Sequence, residues 1–582
     1  MSEPEATSLP TLTSATPVRQ RRPLDYVQSA RGFWVVALLA LLLGLPSLSS
    51  GLTTDDHVAR GIGLARPGLL PDPFTAFGLE PKPGFDRDSG HLAWWSSPQL
   101  RLMFLRPLTS LTHADYVLWS NAPWAMHAVN VLLYALMAAI AWFLYRALLP
   151  SAPPIAAMAA LLFAIDEAHA PALGWIASRN TLLSSLLGLT ALLMHVRGRR
   201  HAGAAFLALA LLAGEGGCAV LAYLFAYAVC LESGTLRARL ATLAPALAVS
   251  ALWAVVYIAG GYGARGSTFY RDLSEPLHVL AQGLMDLPTW IFGLVGPSVI
   301  GLSMAAPAAP VRAAGLLLAA PLIVGLAFGL PRTRENGFFA LGALLCLPPL
   351  FTTLPQDRIL MLASFGALGV IASFLAAARS SASAAVRGIG RVLFGIHAVL
   401  APLLFLPGLN QTRPVEHGSQ AVVRALPQHA PPQVILVNAP VELLTLYAPF
   451  IAREQADRTP PTQLQQLYAG ASTLTAKRVD ERTLELDAAN GWAAVPVETI
   501  FGRVEDMPRG GEVLALKGLE VRVQDSTADG RPKRVHFRFP TPLEDSERLF
   551  LSWQGRNPVA WQPPSIGSSE PLQQLGLHSL EP

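Results

Sequence analysis

Asp55 and Asp56 follow directly on the first long apolar run, Phe33 to Leu52, and His57 follows them. A carboxylate carried there by its own helix, at the rim of a membrane, is suited to act as a general base. It would take the proton from a hydroxyl as that oxygen attacks an electrophilic carbon. The same pair, ahead of Val58 and Ala59, would equally serve as a helix cap in a solvated loop. Other ionisable residues recur beside apolar runs: Arg106, His169, Arg179, Glu215, Arg265, Asp357 and Arg358. A guanidinium forks onto phosphate oxygens in a dry site, which makes Arg179 and Arg358 the candidates for holding a phosphate. The competing arrangement pairs each with a nearby carboxylate, such as Arg358 with Asp357. Asp166, Glu167 and His169 invite a metal reading, but their spacing matches no known ligand pattern. No cofactor is expected; a divalent metal is possible but not indicated.

The chain that must position these groups has 582 residues, 52% hydrophobic and only 14% charged. Soluble domains carry about 25% charged residues, so a soluble globule is excluded. Apolar runs near the bilayer requirement of about 20 residues recur from Phe33 to Leu406, and none follows Gln411. The organisation predicted is a Ser, Thr and Pro-rich tail at 1–32, disordered and cytoplasmic, a membrane domain at 33–408 and a soluble periplasmic domain at 409–582. The net charge of +4 is small, and Lys and Arg gather at helix ends instead of forming a stripe, which argues against nucleic acid as a partner. Cys218, Cys230 and Cys346 all lie in apolar segments, so there is no disulfide framework and no metal-binding cysteine pair. The first run is long for a signal sequence and reads as an uncleaved span. No repeat of 20 to 50 residues is visible.

Basic residues mark the cytoplasmic side and so orient the spans. Arg19, Arg21, Arg22 and Arg31 place the N-terminus inside, and the first span delivers Asp55 outside. Spans near Ala125–Tyr145, Pro154–Ile165 and Trp175–His195 return Arg146, Arg197, Arg199 and Arg200 to the inside. Ala204–Leu231 is broken by Gly214, Glu215, Gly216 and Gly217, predicting two short helices that meet outside. A span at Leu243–Ile258 leads to a second outer loop, Tyr262–His278. Val279–Met304, rich in Gly and Pro, reads as interfacial or re-entrant. Ala313–Leu330, Phe338–Leu354, Ile359–Ala377 and Val392–Leu406 complete a set of about 11 spans. With this choice Asp55, Asp56, His57, His113, Asp115, Asp166, Glu167, His169, Arg179, Glu215, Arg265, Asp357 and Arg358 share the outer side. Ionisable groups at membrane depth cost about 2.5 to 3.5 kcal/mol or more each, so their one-sided placement points to a site.

The first outer loop, Thr53 to about Asn121, interleaves Trp94, Trp95, Phe104 and Trp119 with Arg87, Arg101 and Arg106, and Trp124 follows. That mixture suits helices lying in the membrane interface, or an ordinary aromatic belt. Beyond Leu406, Gln433–Asn438 reads as a buried strand followed by a helix to about Arg453. The alternating runs Leu519–Val523, Arg534–Phe539 and Arg548–Trp553 read as antiparallel strands of a small α/β or β-rich domain. It carries no recognisable catalytic constellation, so acceptor binding, docking or a structural lid are the roles left open for it.

The series Thr54-Asp55-Asp56-His57, Arg106-Pro107-Leu108-Thr109 and His127-Ala128-Val129-Asn130 resembles the membrane half of the transmembrane and tetratricopeptide-repeat O-mannosyltransferases and their bacterial relatives. So do Ala168-His169 with Gly174-Trp175-Ile176-Ala177-Ser178-Arg179-Asn180, then Glu215, then Asp357-Arg358-Ile359-Leu360 with Ser364-Phe365-Gly366. The resemblance covers about Phe33 to Ala377. It implies a GT-C glycosyltransferase: a polytopic α-helical membrane protein of a bacterial inner membrane, with a polyprenyl-phosphate-linked sugar as donor and a protein or glycan acceptor outside the cytoplasm. By matching, Asp55 or Asp56 would be the base, and Arg179 or Arg358 would meet the donor phosphate. Relatives often have an acidic residue where Pro171 stands and Lys where Gly214 precedes Glu215, and tetratricopeptide repeats are missing here.

Two other classes compete with a transferase. A transporter or flippase should place ionisable residues at the bilayer midplane, often in two related halves. Here the midplanes look mostly apolar and no halves repeat, which favours the enzyme. An inactive relative that binds lipid-linked sugar is the third reading.

Overall fold

The computed structural model describes residues 23–65, 72–82, 85–455 and 459–580. Most of the predicted tail, with Arg19, Arg21 and Arg22, lies outside them. Its last part is ordered: Pro23–Gln28 is helical, and Val27 is buried and accepts a hydrogen bond from Trp142 Nε1 at 3.0 Å.

Among the described residues seven helices are long and apolar enough to cross a membrane, and three shorter apolar helices accompany them. The span α1, Gly32–Gly44, runs on as a 3₁₀ turn to Ser49, and α2, Asp55–Ala65, follows after a short link. Then come α3 (Pro123–Leu148), α4 (Pro153–Ala164) and α5 (Arg179–Val196). Two shorter helices, α6 (Arg200–Ala213) and α7 (Val220–Cys230), are separated at Gly214 as predicted. The break adjoins the first loop, since Arg106 Nε lies 2.8 Å from Glu215 Oε2.

After α8 (Ala244–Ala259), the segment read as interfacial or re-entrant contains a 20-residue helix, α9, Pro276–Val295, which is not one of the seven long apolar helices. It packs on α10 (Ala308–Gly329), and its buried Asp286 is held between Arg271 and Arg312. The predicted span Phe338–Leu354 is divided into α11 (Arg334–Leu345) and a short turn of helix at Leu347–Leu350. Pro348 and Pro349, which have no N–H to donate, account for the interruption. The core span α12, Met361–Arg379, is followed by α13 (Ala384–Phe394), a widened π-turn at Gly395–Leu400 ahead of Pro402, and α14 (Ala401–Gly408).

The two ends of the bundle differ in chemistry. At one end Arg146 reaches Gln28 O, Arg200 pairs with Glu232 at 2.7 Å, and Arg239 and Arg334 donate to the last carbonyls of α7. At the other end stand Asp55, Arg106, Glu215 and the C-terminal domain.

That domain begins with α15, Arg413–Ala425, and contains α16, Leu444–Arg453. Two small strands of the first loop, β1 (Gly78–Leu79) and β2 (Arg101–Met103), join β3 (Gly263–Arg265) of the second loop in a three-stranded sheet. In the C-terminal domain a four-stranded sheet has the order β12-β11-β4-β5, formed by Asn557–Ala560, Arg548–Gln554, Gln433–Leu436 and Gln463–Gln466. A six-stranded antiparallel sheet has the order β13-β6-β7-β10-β9-β8, formed by Ser569–Leu572, Leu474–Arg478, Thr483–Ala488, Pro532–Arg538, Leu519–Ser526 and Val513–Leu516. Strands β9 and β10 pair antiparallel, as their alternation predicts. The run Arg548–Trp553 does not join them: it lies in the other sheet, parallel to β4.

The loop tryptophans correct the interfacial reading. Trp94 and Trp95 are 2% and 1% exposed and are packed in the C-terminal domain's core. Trp94 Nε1 donates to Leu467 O at 2.9 Å, and Trp95 Nε1 to Glu442 Oε2 at 3.1 Å. Trp124, 60% exposed at the start of α3, keeps the placement of a belt residue.

Candidate active site

The link between α1 and α2 is strained where it turns. Thr54 has φ of 49°, a left-handed conformation unusual for a β-branched residue. Its N–H donates to Glu416 Oε2 at 3.1 Å, so α15 holds the turn that starts α2. The next two residues then face different surroundings.

Asp56 is fully buried, and both its oxygens are engaged. Oδ1 accepts from Tyr116 OH at 2.8 Å and from Ala177 N–H at 2.8 Å, while Oδ2 accepts from Thr53 N–H at 3.0 Å. Burial pushes its carboxyl up to about 6 against those donors. Asp56 therefore ties α2 to the short helix Ala114–Leu118 and to the turn before α5.

Asp55 is half-buried and has a free oxygen. Oδ1 accepts from Tyr447 OH at 2.7 Å, and Oδ2 has no hydrogen-bond partner among the described residues. Burial raises its pKa above the usual carboxylate range, opposed by the Tyr447 hydroxyl and by the positive charge of Arg358. Arg358 lies 4.7 Å over the ring of Trp175, donates to Gln356 Oε1 at 2.9 Å and approaches Ser178 Oγ at 3.4 Å. It makes no ion pair among the described residues. The competing pairing with Asp357 does not form: Asp357 is buried and accepts from Ser298 Oγ and from the N–H groups of Ile300 and Gly301 at 2.8 to 2.9 Å.

Arg179 does not share this open position. It is 2% exposed, and its fork is engaged by Asp115 Oδ2 at 2.5 Å, Asn130 Oδ1 at 2.7 Å and Met126 O at 3.0 Å. It fastens α5 to the first loop and to the start of α3. His169 is buried between Ser364 Oγ at 2.9 Å and Tyr134 OH at 3.2 Å, inside the bundle. Asp166 approaches it at 3.6 Å. Among the described residues no three His, Cys, Asp or Glu side chains are grouped to hold a metal. Arg106 bridges Glu215 and the face of Phe104, 4.4 Å from its ring, while Arg265 is exposed on β3 without an ion pair among the described residues.

Arg358 thus lies within electrostatic reach of Asp55, which Asp56 follows in the first turn of α2, whereas Arg179, His169 and Asp357 brace the surrounding helices. The sequence reading missed Tyr447, Tyr116, Glu416 and Glu454. His57 Nε2 lies 3.1 Å from Glu416 and Nδ1 3.2 Å from Glu454, and Arg60 lies 3.0 Å from Glu454. Burial opposes charge on His57, but the two carboxylates outweigh it and raise the imidazole to about 10.

No protein-family model matches this sequence, and no curated protein matches it. Among solved structures it is similar to ArnT from Cupriavidus metallidurans, at 12% identity and a TM-score of 0.36, covering 72% of this chain and 85% of that one. It is also similar to arabinofuranosyltransferase AftD from Mycobacteria, at 16% identity and a TM-score of 0.34, covering 88% of this chain and 40% of that one.

Proposed function

We propose that this membrane protein is a GT-C type glycosyltransferase that moves a sugar from a polyprenyl-phosphate donor to an acceptor hydroxyl at the periplasmic face of a bacterial inner membrane. The observation that carries the reading is Asp55, with one oxygen held by Tyr447 and the other free, within electrostatic reach of Arg358, which is stacked on Trp175 without an ion pair among the described residues. The ordered motifs from Thr54 to Gly366 support it.

In this mechanism Asp55 takes the proton of the acceptor hydroxyl through its free oxygen. The acceptor oxygen forms a bond to the anomeric carbon as the bond from that carbon to the phosphate oxygen breaks, and the electron pair leaves on the polyprenyl phosphate. In-line displacement inverts the anomeric centre. Arg358 stabilises the charge that develops on the departing phosphate. A carboxylate whose pKa burial has raised is a better base than an exposed one, and the Tyr447 hydroxyl and the positive charge of Arg358 oppose that shift and favour the ionised form. Asp56 is a positioning residue that fixes the first turn of α2.

The test uses the full chain in lipid nanodiscs with labelled polyprenyl-phosphate sugars. Asp55→Asn should lower transfer at least 100-fold while retaining the Tyr447 hydrogen bond and the fold. Transfer by that variant at the wild-type rate would overturn the assignment.

A further inference from the structure

A groove runs along the face of α2 opposite Asp55. Two adjoining cavities of about 340 and 430 Å³ share His57, Arg60, Gln420 and Glu454 in their walls. Sizes in this range accommodate small ligands. One wall is a stripe on α15: Arg413, His417, Gln420 and Arg424 are spaced by four, three and four residues and so lie on one helix face. The stripe is about 16 Å long at 1.5 Å per residue, the length of a short oligosaccharide and more than one phosphate requires.

The charges in the groove do not balance. Glu416 and Glu454 are matched by His57 and Arg60, and Gln420 Nε2 also donates to Glu416 at 2.8 Å. Arg413 and Arg424 at the two ends have no carboxylate partner among the described residues. The Arg413 guanidinium donates to Ser49 O at 3.2 Å, and Arg424 is exposed. Hydroxyl-binding groups, Gln420 and His417, lie between the two cations. A ligand with acidic groups separated by a polyhydroxyl stretch complements that order. The groove is separated from Asp55 by the width of α2, and Ser50 to Thr53 lead around the start of that helix from one to the other.

We infer that this groove binds an acidic oligosaccharide, holding the distal part of a glycan acceptor whose reacting hydroxyl reaches Asp55 around the first turn of α2. The acceptor role rests on the transferase reading above; the binding does not.

The probe is trigalacturonic acid, titrated calorimetrically against the full chain in phosphatidylcholine nanodiscs, with maltotriose as its neutral counterpart. The acidic trisaccharide should bind at least 10-fold more tightly than maltotriose, and less tightly as salt is added. Arg413→Ala with Arg424→Ala should weaken it at least 10-fold, while Arg413→Lys with Arg424→Lys, which keeps both charges should the alanine variant misfold, stays within about 3-fold of wild type. Equal binding of the two sugars, or undiminished binding by a folded double alanine variant, would overturn the inference. So would loss of trigalacturonate binding when phosphatidylglycerol is added to the nanodisc, because lipid headgroups would then be the occupant. Trisaccharide binding without turnover of any polyprenyl-phosphate sugar would leave the groove standing and remove the transferase; turnover without binding would do the reverse.

Discussion

Asp56 accepts four hydrogen bonds in its buried site, and truncating it strands three of the donors, Tyr116 OH and the N–H groups of Ala177 and Thr53, while Thr53 Oγ1 keeps Thr412. Each such donor costs about 1 to 3 kcal/mol. Asp56→Ala should therefore destabilise the protein by about 3 kcal/mol or more, seen as a fall in the thermal unfolding midpoint in detergent, whereas Asp55→Asn should leave that midpoint within a degree or two of wild type. The two neighbours then separate by assay: one change removes stability, the other removes transfer. His57 gives a pH signature. Its folded pKa of about 10 exceeds the ordinary 6.5, so the stability it contributes is fully present below pH 6.5 and is lost as pH rises towards 10. The midpoint difference between wild type and His57→Gln should be largest near pH 6 and should close near pH 10. An unchanging difference across that range would show that the charged clamp does not form. The sequence made Asp55, Asp56 and Arg358 legible because acids and guanidinium groups beside apolar runs are conspicuous. It did not show which of them keeps a free atom, since Tyr447 lies 392 residues from Asp55 and no local pattern connects them.

At the scale of elements, the break at Gly214, the span Met361–Arg379 and four of the ten strands described in the last domain, β4, β9, β10 and β11, were readable from periodicity and from glycine and proline placement. The first loop was not. Tryptophans between arginines have the composition of a membrane interface, and composition does not distinguish a lipid surround from a protein core. Trp94→Ala with Trp95→Ala should release the loop from the C-terminal domain at about 3 to 5 kcal/mol per site. Limited proteolysis should then cut between residues 72 and 105 much faster than in wild type. Unchanged protection would mean that the polar contacts, such as Ser97 Oγ with Asp506 at 2.7 Å, hold the loop by themselves.

For the molecule as a whole, the arginine-rich end and the end bearing Asp55 should face opposite compartments. Ser565→Cys, exposed in the C-terminal domain, should react with a membrane-impermeant maleimide added to intact spheroplasts. Ala382→Cys, in the exposed turn between α12 and α13, should react only after permeabilisation. The reverse pattern would turn the protein over and move the site to the cytoplasm. The sequence separated a membrane part from a soluble part at residue 408, but it gave no sign that the two are interlocked.

That interlocking sets an order of events during synthesis. Trp94 is made 373 residues before Leu467, the carbonyl that receives its indole N–H. At 5 to 20 residues per second the interval is roughly 20 to 75 s. For that time the nascent loop has its spans in the bilayer but no core to enter, with two indoles uncovered. Either a chaperone shields it, or the half-made protein is exposed to proteases until its last domain arrives.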